Sequence, residues 1–204
     1  MGMGKILFAL LLLLPTVSVA DASMAPDEVV RVTSDKVQQT LLTNREMLKK
    51  NPDAIIALVE DMVVPKFDFV RASAWVLGKH WRLATPEQRG RFVKEFQDLL
   101  LNTYASALLE YADFKITFLP LRMKEGDRTV MVRTKVLQPG ADTINLDYRL
   151  FNGKEGWKVL DILVDNVSLI ANYRSSFGEE VEQNGLDALL ARLAKSNSEK
   201  RAKK

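Results

Sequence analysis

The sequence predicts an α+β domain in which several helices pack against a curved, cone-like antiparallel sheet of about four strands. Three observations carry this. Apolar residues recur at helical spacing from Pro26 to Tyr111. The period falls to two between Val130 and Val164, and helical spacing returns after Ser168. A long helix laid across the apolar face of a curved sheet encloses space, so the same fold class predicts an apolar cavity between the two.

The first twenty residues stand apart from this pattern. Lys5 is their only charge, Ile6 to Leu14 form an apolar run, Pro15 ends it, and Ser18-Val19-Ala20 places small residues where a signal peptidase reads. This is the order of a secretory signal over residues 1–20, with Ala22 as a second cleavage point. A spanning helix needs about 20 apolar residues, more than twice this run. Cleavage removes Lys5 and no acid, taking the net charge from +3 to +2. So balanced a charge gives no footprint for nucleic acid. Residues 21–195 then form a single domain, and residues 196–204, with Lys200-Arg201 and Lys203-Lys204, form a flexible basic tail with at most a weak attraction to anionic membranes. The chain has no cysteine. It therefore carries no lipidated N-terminal cysteine and no disulfide, and an apolar core must hold it together unaided.

Pro26 to Lys50 carries Val29, Val30, Val37, Leu41, Leu42 and Leu48 at the spacing of one amphipathic helix. Asn51-Pro52-Asp53 interrupts it, Ala54 to Val64 resumes, and Pro65 stops the second helix. Asp68 caps a third helix that runs to about Leu77, with Gly78 at its end. Thr85-Pro86-Glu87-Gln88 is a capping box with proline at the first helical position. The helix it starts reaches Tyr111, roughly 39 Å at 1.5 Å per residue. Lys115 to Leu119 opens the sheet. Val130, Val132, Thr134 and Val136 alternate with Met131, Arg133, Lys135 and Leu137. Pro139-Gly140 turns the chain, Ile144, Leu146, Tyr148 and Leu150 alternate again, Asn152-Gly153 turns it back, and Trp157 to Val164 supplies a further strand. Ser168 caps a helix through Phe177, Gly178 and Asn184-Gly185 punctuate the next stretch, and a last helix covers Leu186 to Lys195.

Catalytic signatures are scarce. His80, after Gly78-Lys79 in an expected loop, is the only histidine, and one histidine makes a zinc site improbable. There is no G-x-S-x-G elbow, no G-x-G-x-x-G and no P-loop. Glu60-Asp61 point apart on a helix, and Glu179-Glu180 are expected near a helix start. Asp161 interrupts an apolar strand. It reads as a structural carboxylate bonded to a helix terminus or an arginine; the sharper alternative is the acid of an isomerase-like enzyme, with Tyr104 or Tyr148 as partner. Trp75, Trp81, Tyr104, Tyr111, Tyr148 and Trp157 occupy core-compatible positions. No catalytic residue, metal or cofactor is assigned.

Four segments carry a resemblance. They are Ala74-Trp75-Val76-Leu77-Gly78; Ala84-Thr85-Pro86-Glu87-Gln88-Arg89 with Phe92 and Phe96; Tyr104-Ala105; and Gly156-Trp157-Lys158-Val159-Leu160-Asp161 running on to Val167-Ser168-Leu169-Ile170 and Asn172-Tyr173-Arg174. Gly185 to Leu189 also fits. From about Val29 to Leu193 the chain resembles the MlaC family of periplasmic phospholipid-binding proteins. Two departures are Leu160, where the family commonly has tyrosine, and Asn166, where it usually has glycine; asparagine tolerates a left-handed backbone, and Leu160 bears on which lipid fits. The resemblance implies an apolar cavity for a phospholipid cargo. It also implies delivery between an outer-membrane lipoprotein–porin complex and an inner-membrane ABC transporter, with some relatives tied to hopanoids. On periodicity and resemblance together, the lipid-binding candidates are Tyr104, Leu108, Val132, Leu146 and Tyr148 along the cavity, with Val164, Val167 and Ile170 at its mouth. Arg133, Lys135 and Arg149 are candidates to meet phosphate, although solvated strand positions explain them as well. An enzyme using Asp161, a hopanoid carrier and a solid-cored adaptor remain open readings at this point.

Overall fold

The computed structural model describes residues 24–202 apart from Gln138, Pro139 and Ala141. The expected signal, and Pro139 of the expected turn, lie outside the described residues. Among the described residues the architecture is α+β: eight helices and a five-stranded antiparallel meander in which each strand pairs with its neighbour in sequence.

Helix α1 spans Pro26–Thr43, and the chain breaks at Asn44 before α2, Arg45–Lys50. The single helix expected to Lys50 is therefore two. Asn44 donates its side-chain amide to the Thr40 carbonyl at 2.9 Å, an alternative to continuing the ladder. Helix α3, Pro52–Met62, starts with proline at its first position and Asn51 accepting from the Ala54 amide. A 3-10 turn, Val64–Lys66, comes next. Asp68 accepts from the Arg71 amide and caps α4, Phe69–Leu77. Gly78 ends α4 at φ +53°, where a side chain would press within 3.2 Å of the Arg174 guanidinium. His80 lies in a short helix, α5, Lys79–Leu83, not in a loop.

The capping box forms as the sequence predicts. Thr85 Oγ1 accepts from the Gln88 amide at 3.2 Å, and Gln88 Oε1 accepts from the Thr85 amide at 3.0 Å. It starts α6, Pro86–Glu110, a rod of roughly 37 Å.

Strands β1 (Lys115–Phe118), β2 (Thr129–Leu137), β3 (Ile144–Gly153) and β4 (Gly156–Val164) match the expected meander, and a two-residue β5, Val167–Ser168, makes a fifth. Its turn places Asp165 at φ 46° and Asn166 at φ 67°, so Asn166 does adopt the left-handed backbone. Helix α7 runs through Gly178 from Leu169 to Asn184, and α8 runs from Leu186 to Ala202. Glu180 is consequently mid-helix, paired with Arg192 of α8 at 2.6 and 2.7 Å. Nor do residues 196–202 form a loose tail. Asn197 is buried and donates to the Glu95 carbonyl and carboxylate, and Arg201 pairs with buried Asp98 at 2.8 Å.

The core comes in three parts. Phe92 and Phe96 of α6 pack with α4, α7 and α8. Leu101 and Ala105, farther along α6, pack with Val37 and Leu41 of α1, Leu48 and α3. Val29 and Val30 of α1 pack on one sheet face against Val130, Val132, Leu150 and Val159. Helix α1 therefore lies over the sheet, with α6 and α3 beside it, and it closes the space between them.

Candidate lipid cavity

A bulge in β4 decides which residues face that space. Asp161 pairs with Arg149 and Val159 with Leu150, so Leu160 has no partner across the ladder. A strict alternation would set Asp161 on the face of Val159. The extra residue moves the alternation by one, so Val159, Ile162 and Val164 share the cavity side while Leu160 joins the aromatic core beside Phe92 and Phe96. Asp161 is turned away as well. Its Oδ2 accepts from Ser168 Oγ at 2.6 Å and its Oδ1 from the Ile170 amide at 3.2 Å. The carboxylate thus satisfies the start of α7, where negative charge is favoured. This is the structural reading of Asp161. The acid and the tyrosines of the enzyme alternative are not brought together, and the Leu160 departure does not touch the cavity.

The cavity measures about 430 Å³ and has 23 lining residues, within the range of about 300–1,000 Å³ usual for small-ligand sites. Seventeen are apolar. Helix α1 supplies one wall with Val29, Val30, Val37 and Leu41. Tyr104, Ala107 and Leu108 of α6 supply the second, and the sheet supplies the third through Val136, Ile144, Leu146, Tyr148, Ile162 and Val164. Val63, Lys66 and Phe67 close one side.

The six polar residues are Thr33, Ser34, Gln38, Lys66, Tyr104 and Tyr148. Thr33 Oγ1 donates to the Val29 carbonyl at 2.7 Å. Gln38 Nε2 donates to the carbonyls of Ala112 and Phe114 at 2.8 and 2.7 Å. Ser34 shares a hydrogen bond with Tyr148, whose burial pushes its phenol up to about 12. Tyr104 shares one with Tyr173, and desolvation followed by that bond holds the Tyr173 phenol well above its ordinary range. The wall therefore presents little unsatisfied polarity to an occupant. Among the described residues, no group of three or more His, Asp or Glu could hold a metal, and no helix is long and apolar enough to cross a membrane.

The structure places five of the eight candidates on this lining: Tyr104, Leu108, Leu146, Tyr148 and Val164. The other three fall elsewhere. Val132 is buried among Val29, Val30, Val130, Leu150 and Val159 and does not reach the lining. Ile170 belongs to the aromatic core. Val167, 62% exposed, stands on the outer surface of the β4–β5 turn. Arg133, Lys135 and Arg149 do not line the cavity either. Arg133 borders a separate depression with Arg122 and Met131, and Arg149 lies over the Trp75 ring at 5.5 Å. Sequence reasoning missed the α1 wall and Lys66. Helical spacing marked Val29, Val30, Val37 and Leu41 as buried; no signal distinguished a residue facing a hollow from one facing a neighbour.

A family model described as "MlaC protein" matches residues 31–195. The chain belongs to the MlaC family. It is 31% identical over 182 residues to the toluene tolerance protein ttg2D of Pseudomonas putida, covering 89% of this chain and 83% of that one. It is 25% identical over 183 residues to the intermembrane phospholipid transport system binding protein MlaC of Haemophilus influenzae, covering 88% and 86%. Among solved structures it is similar to a phospholipid-binding protein from Ralstonia solanacearum in complex with a phospholipid. There the TM-score is 0.80 at 29% identity, over 86% of this chain and 98% of that one.

Proposed function

We propose that this MlaC-family chain is an exported carrier. It binds one phospholipid in the three-walled cavity and shuttles it through the periplasm as part of an Mla-type ABC transport system that maintains outer-membrane lipid asymmetry. The observation that carries the reading is the lining: aliphatic on three elements, with nearly every polar group engaged internally. The phospholipid in the related Ralstonia protein supports the choice of cargo. The segment 1–20 supports export, and the partners are inferred from the transport system named for the Haemophilus relative: an outer-membrane lipoprotein–porin complex and an inner-membrane ABC transporter.

The physics explains why such a carrier is needed. A two-chain lipid buries about 30 CH₂ groups at roughly 0.8 kcal/mol each, so stripping it into water costs on the order of 20 kcal/mol. Half a bilayer core is about 15 Å deep, and the α1 wall of the cavity, from Val29 to Leu41, is roughly 18 Å long at 1.5 Å per residue. Transfer needs no bond made or broken, and no catalytic group is invoked.

The test is extraction of the purified protein with organic solvent, followed by mass spectrometry. The wild type should yield phospholipid in a constant ratio to protein. Leu146→Glu, which sets a charge on the sheet wall, should yield none while keeping its circular dichroism. A folded Leu146→Glu variant that still carries lipid, or a wild type that carries none, overturns the proposal. Recovery of hopanoid in place of phospholipid keeps the carrier and replaces the cargo.

A further inference from the structure

Among the described residues, Lys66 is the one polar lining side chain left without a partner. Thr33, Ser34, Gln38, Tyr104 and Tyr148 are each hydrogen-bonded within the protein. Among the described residues the Lys66 ammonium has no hydrogen bond or ion pair. No aspartate or glutamate among the described residues lines the cavity to neutralise it. The carboxylate nearest in sequence, Asp68, is already taken: Oδ1 accepts from the Arg71 amide at 2.9 Å and Oδ2 from the Arg71 guanidinium at 2.5 Å. Yet the backbone that carries Lys66 is fixed. Its own amide donates to the Val63 carbonyl at 2.9 Å, the Phe67 amide donates to Val64, and the Asp68 amide donates to the Val159 carbonyl of β4 at 2.9 Å. Lys66 is exposed while still lining the cavity. It therefore stands at the rim, where aliphatic wall meets solvent.

A lone cation on an anchored turn, at the edge of a site for acyl chains, is placed where the phosphate of a lipid would emerge. We infer that Lys66 binds the headgroup phosphate and makes the cavity selective for phosphate-bearing lipids over uncharged lipids with the same chains. This rests on the proposed carrier function, and it adds what that reading lacks, a polar determinant of cargo. An ammonium on a flexible stem is a compact point charge that meets phosphate oxygens without demanding one geometry. It suits a site whose headgroups differ beyond the phosphate.

The experiment offers delipidated protein phosphatidylglycerol and diacylglycerol of identical chains, in the same nonionic detergent, and reads the bound ratio by mass spectrometry. The wild type should favour phosphatidylglycerol about tenfold, the worth of one charge-assisted hydrogen bond. Lys66→Met should bind the two lipids equally. Lys66→Arg should keep the preference, and added salt should reduce it in the wild type. A preference that survives in a folded Lys66→Met variant overturns the inference and leaves the carrier standing. So does a wild type that binds both lipids alike. Inorganic phosphate that displaces the phospholipid would mark a site for free anions and also overturn it. A wild type that binds neither lipid sinks the carrier reading itself.

Discussion

The two halves of α6 face opposite kinds of apolar surroundings. In the first half, Phe92 and Phe96 are fully enclosed, stacked at 5.7 Å, with Phe177 edge-on to both at 6.1 and 6.4 Å and Tyr173 against Phe96 at 5.3 Å. In the second half, Tyr104, Ala107 and Leu108 look into a hollow. The helix is continuous and its apolar period does not change. What changes is the volume supplied from the other side. Opposite the first half stand aromatic rings of α7; opposite the second, among the described residues, stand mainly valines, isoleucines and leucines of α1 and the sheet, with Tyr148 and Phe67 as the aromatic rings among them. Aromatic rings fill the space to the density of a protein interior, and aliphatic stubs held apart by fixed elements leave a gap. A binding cavity here is a matter of side-chain size on a shared scaffold, not of extra polarity.

The largest break in this comparison comes from Phe96→Ala. It removes a ring touched on three sides, and urea denaturation should show a loss of about 3–5 kcal/mol. A loss below about 1 kcal/mol would mean the first half is no more tightly packed than the second. Asp161→Ala probes the seam between the halves. It takes both bonds from the start of α7 and leaves the Ser168 hydroxyl and the Ile170 amide without their acceptor. About 3 kcal/mol should be lost in the same measurement, while lipid recovered per folded protein stays unchanged. A loss of lipid without a loss of stability would return Asp161 to the functional site.

Tyr148 tests the hollow side by pH. Burial raises its phenol from 10.0 to about 12, so the folded state holds the proton more tightly than the unfolded one. Its contribution is complete below about pH 10 and is lost as the pH rises through about 12. Over that window the wild type should lose roughly 2 kcal/mol more than Tyr148→Phe in urea titrations, because the raised Tyr173 phenol acts in both proteins. Tyr148→Phe should lack this component. Equal losses in both proteins would show that the Tyr148 hydroxyl is as well hydrated as in an unfolded chain.

Much of this organisation was legible in the sequence because it is local. Thr85 with Gln88, Asp68 and Ser168 cap the helices they were expected to cap, since a cap needs only three or four residues in order. The period of two placed Val132, Leu146 and Tyr148 on one sheet face. It did not say how far along that face the hollow lies, and Val132 is buried off its lining. Ile170 and Val167 fall off the lining for the same reason: being near a closing helix does not fix the side it closes. The bulge at Leu160 was hidden because one unpaired residue has no pattern. Gly178 looked like a stop, but α7 continues through it, held by Phe177 and Val181 in the core. The Glu180–Arg192 and Asp98–Arg201 pairs, which tie α7 and α6 to α8, join residues whose proximity exists only once the fold has formed.

The smallest expected effect on stability is the sharpest test of the contrast. Ala107 lies on the hollow half of α6, flanked by Tyr104 and Leu108 on the lining. Ala107→Trp adds an indole where there is no neighbour to displace, in a space of about 430 Å³. In a packed core, adding this much volume costs roughly 1–3 kcal/mol or more through forced rotamers and backbone shifts. Here the ring replaces empty space, so thermal stability of the lipid-free protein should change by less than about 1 kcal/mol, in either direction. Cargo should change far more, because the indole occupies the volume an acyl chain would need; lipid recovered per protein should fall below a tenth of the wild-type value (~10-fold loss for about 1.4 kcal/mol of lost affinity). Matching Phe92→Trp in the packed half should do the reverse, costing stability and sparing cargo. If both variants behave alike, α6 does not divide as its neighbours imply, and the hollow owes its existence to something other than the size of the side chains that face it.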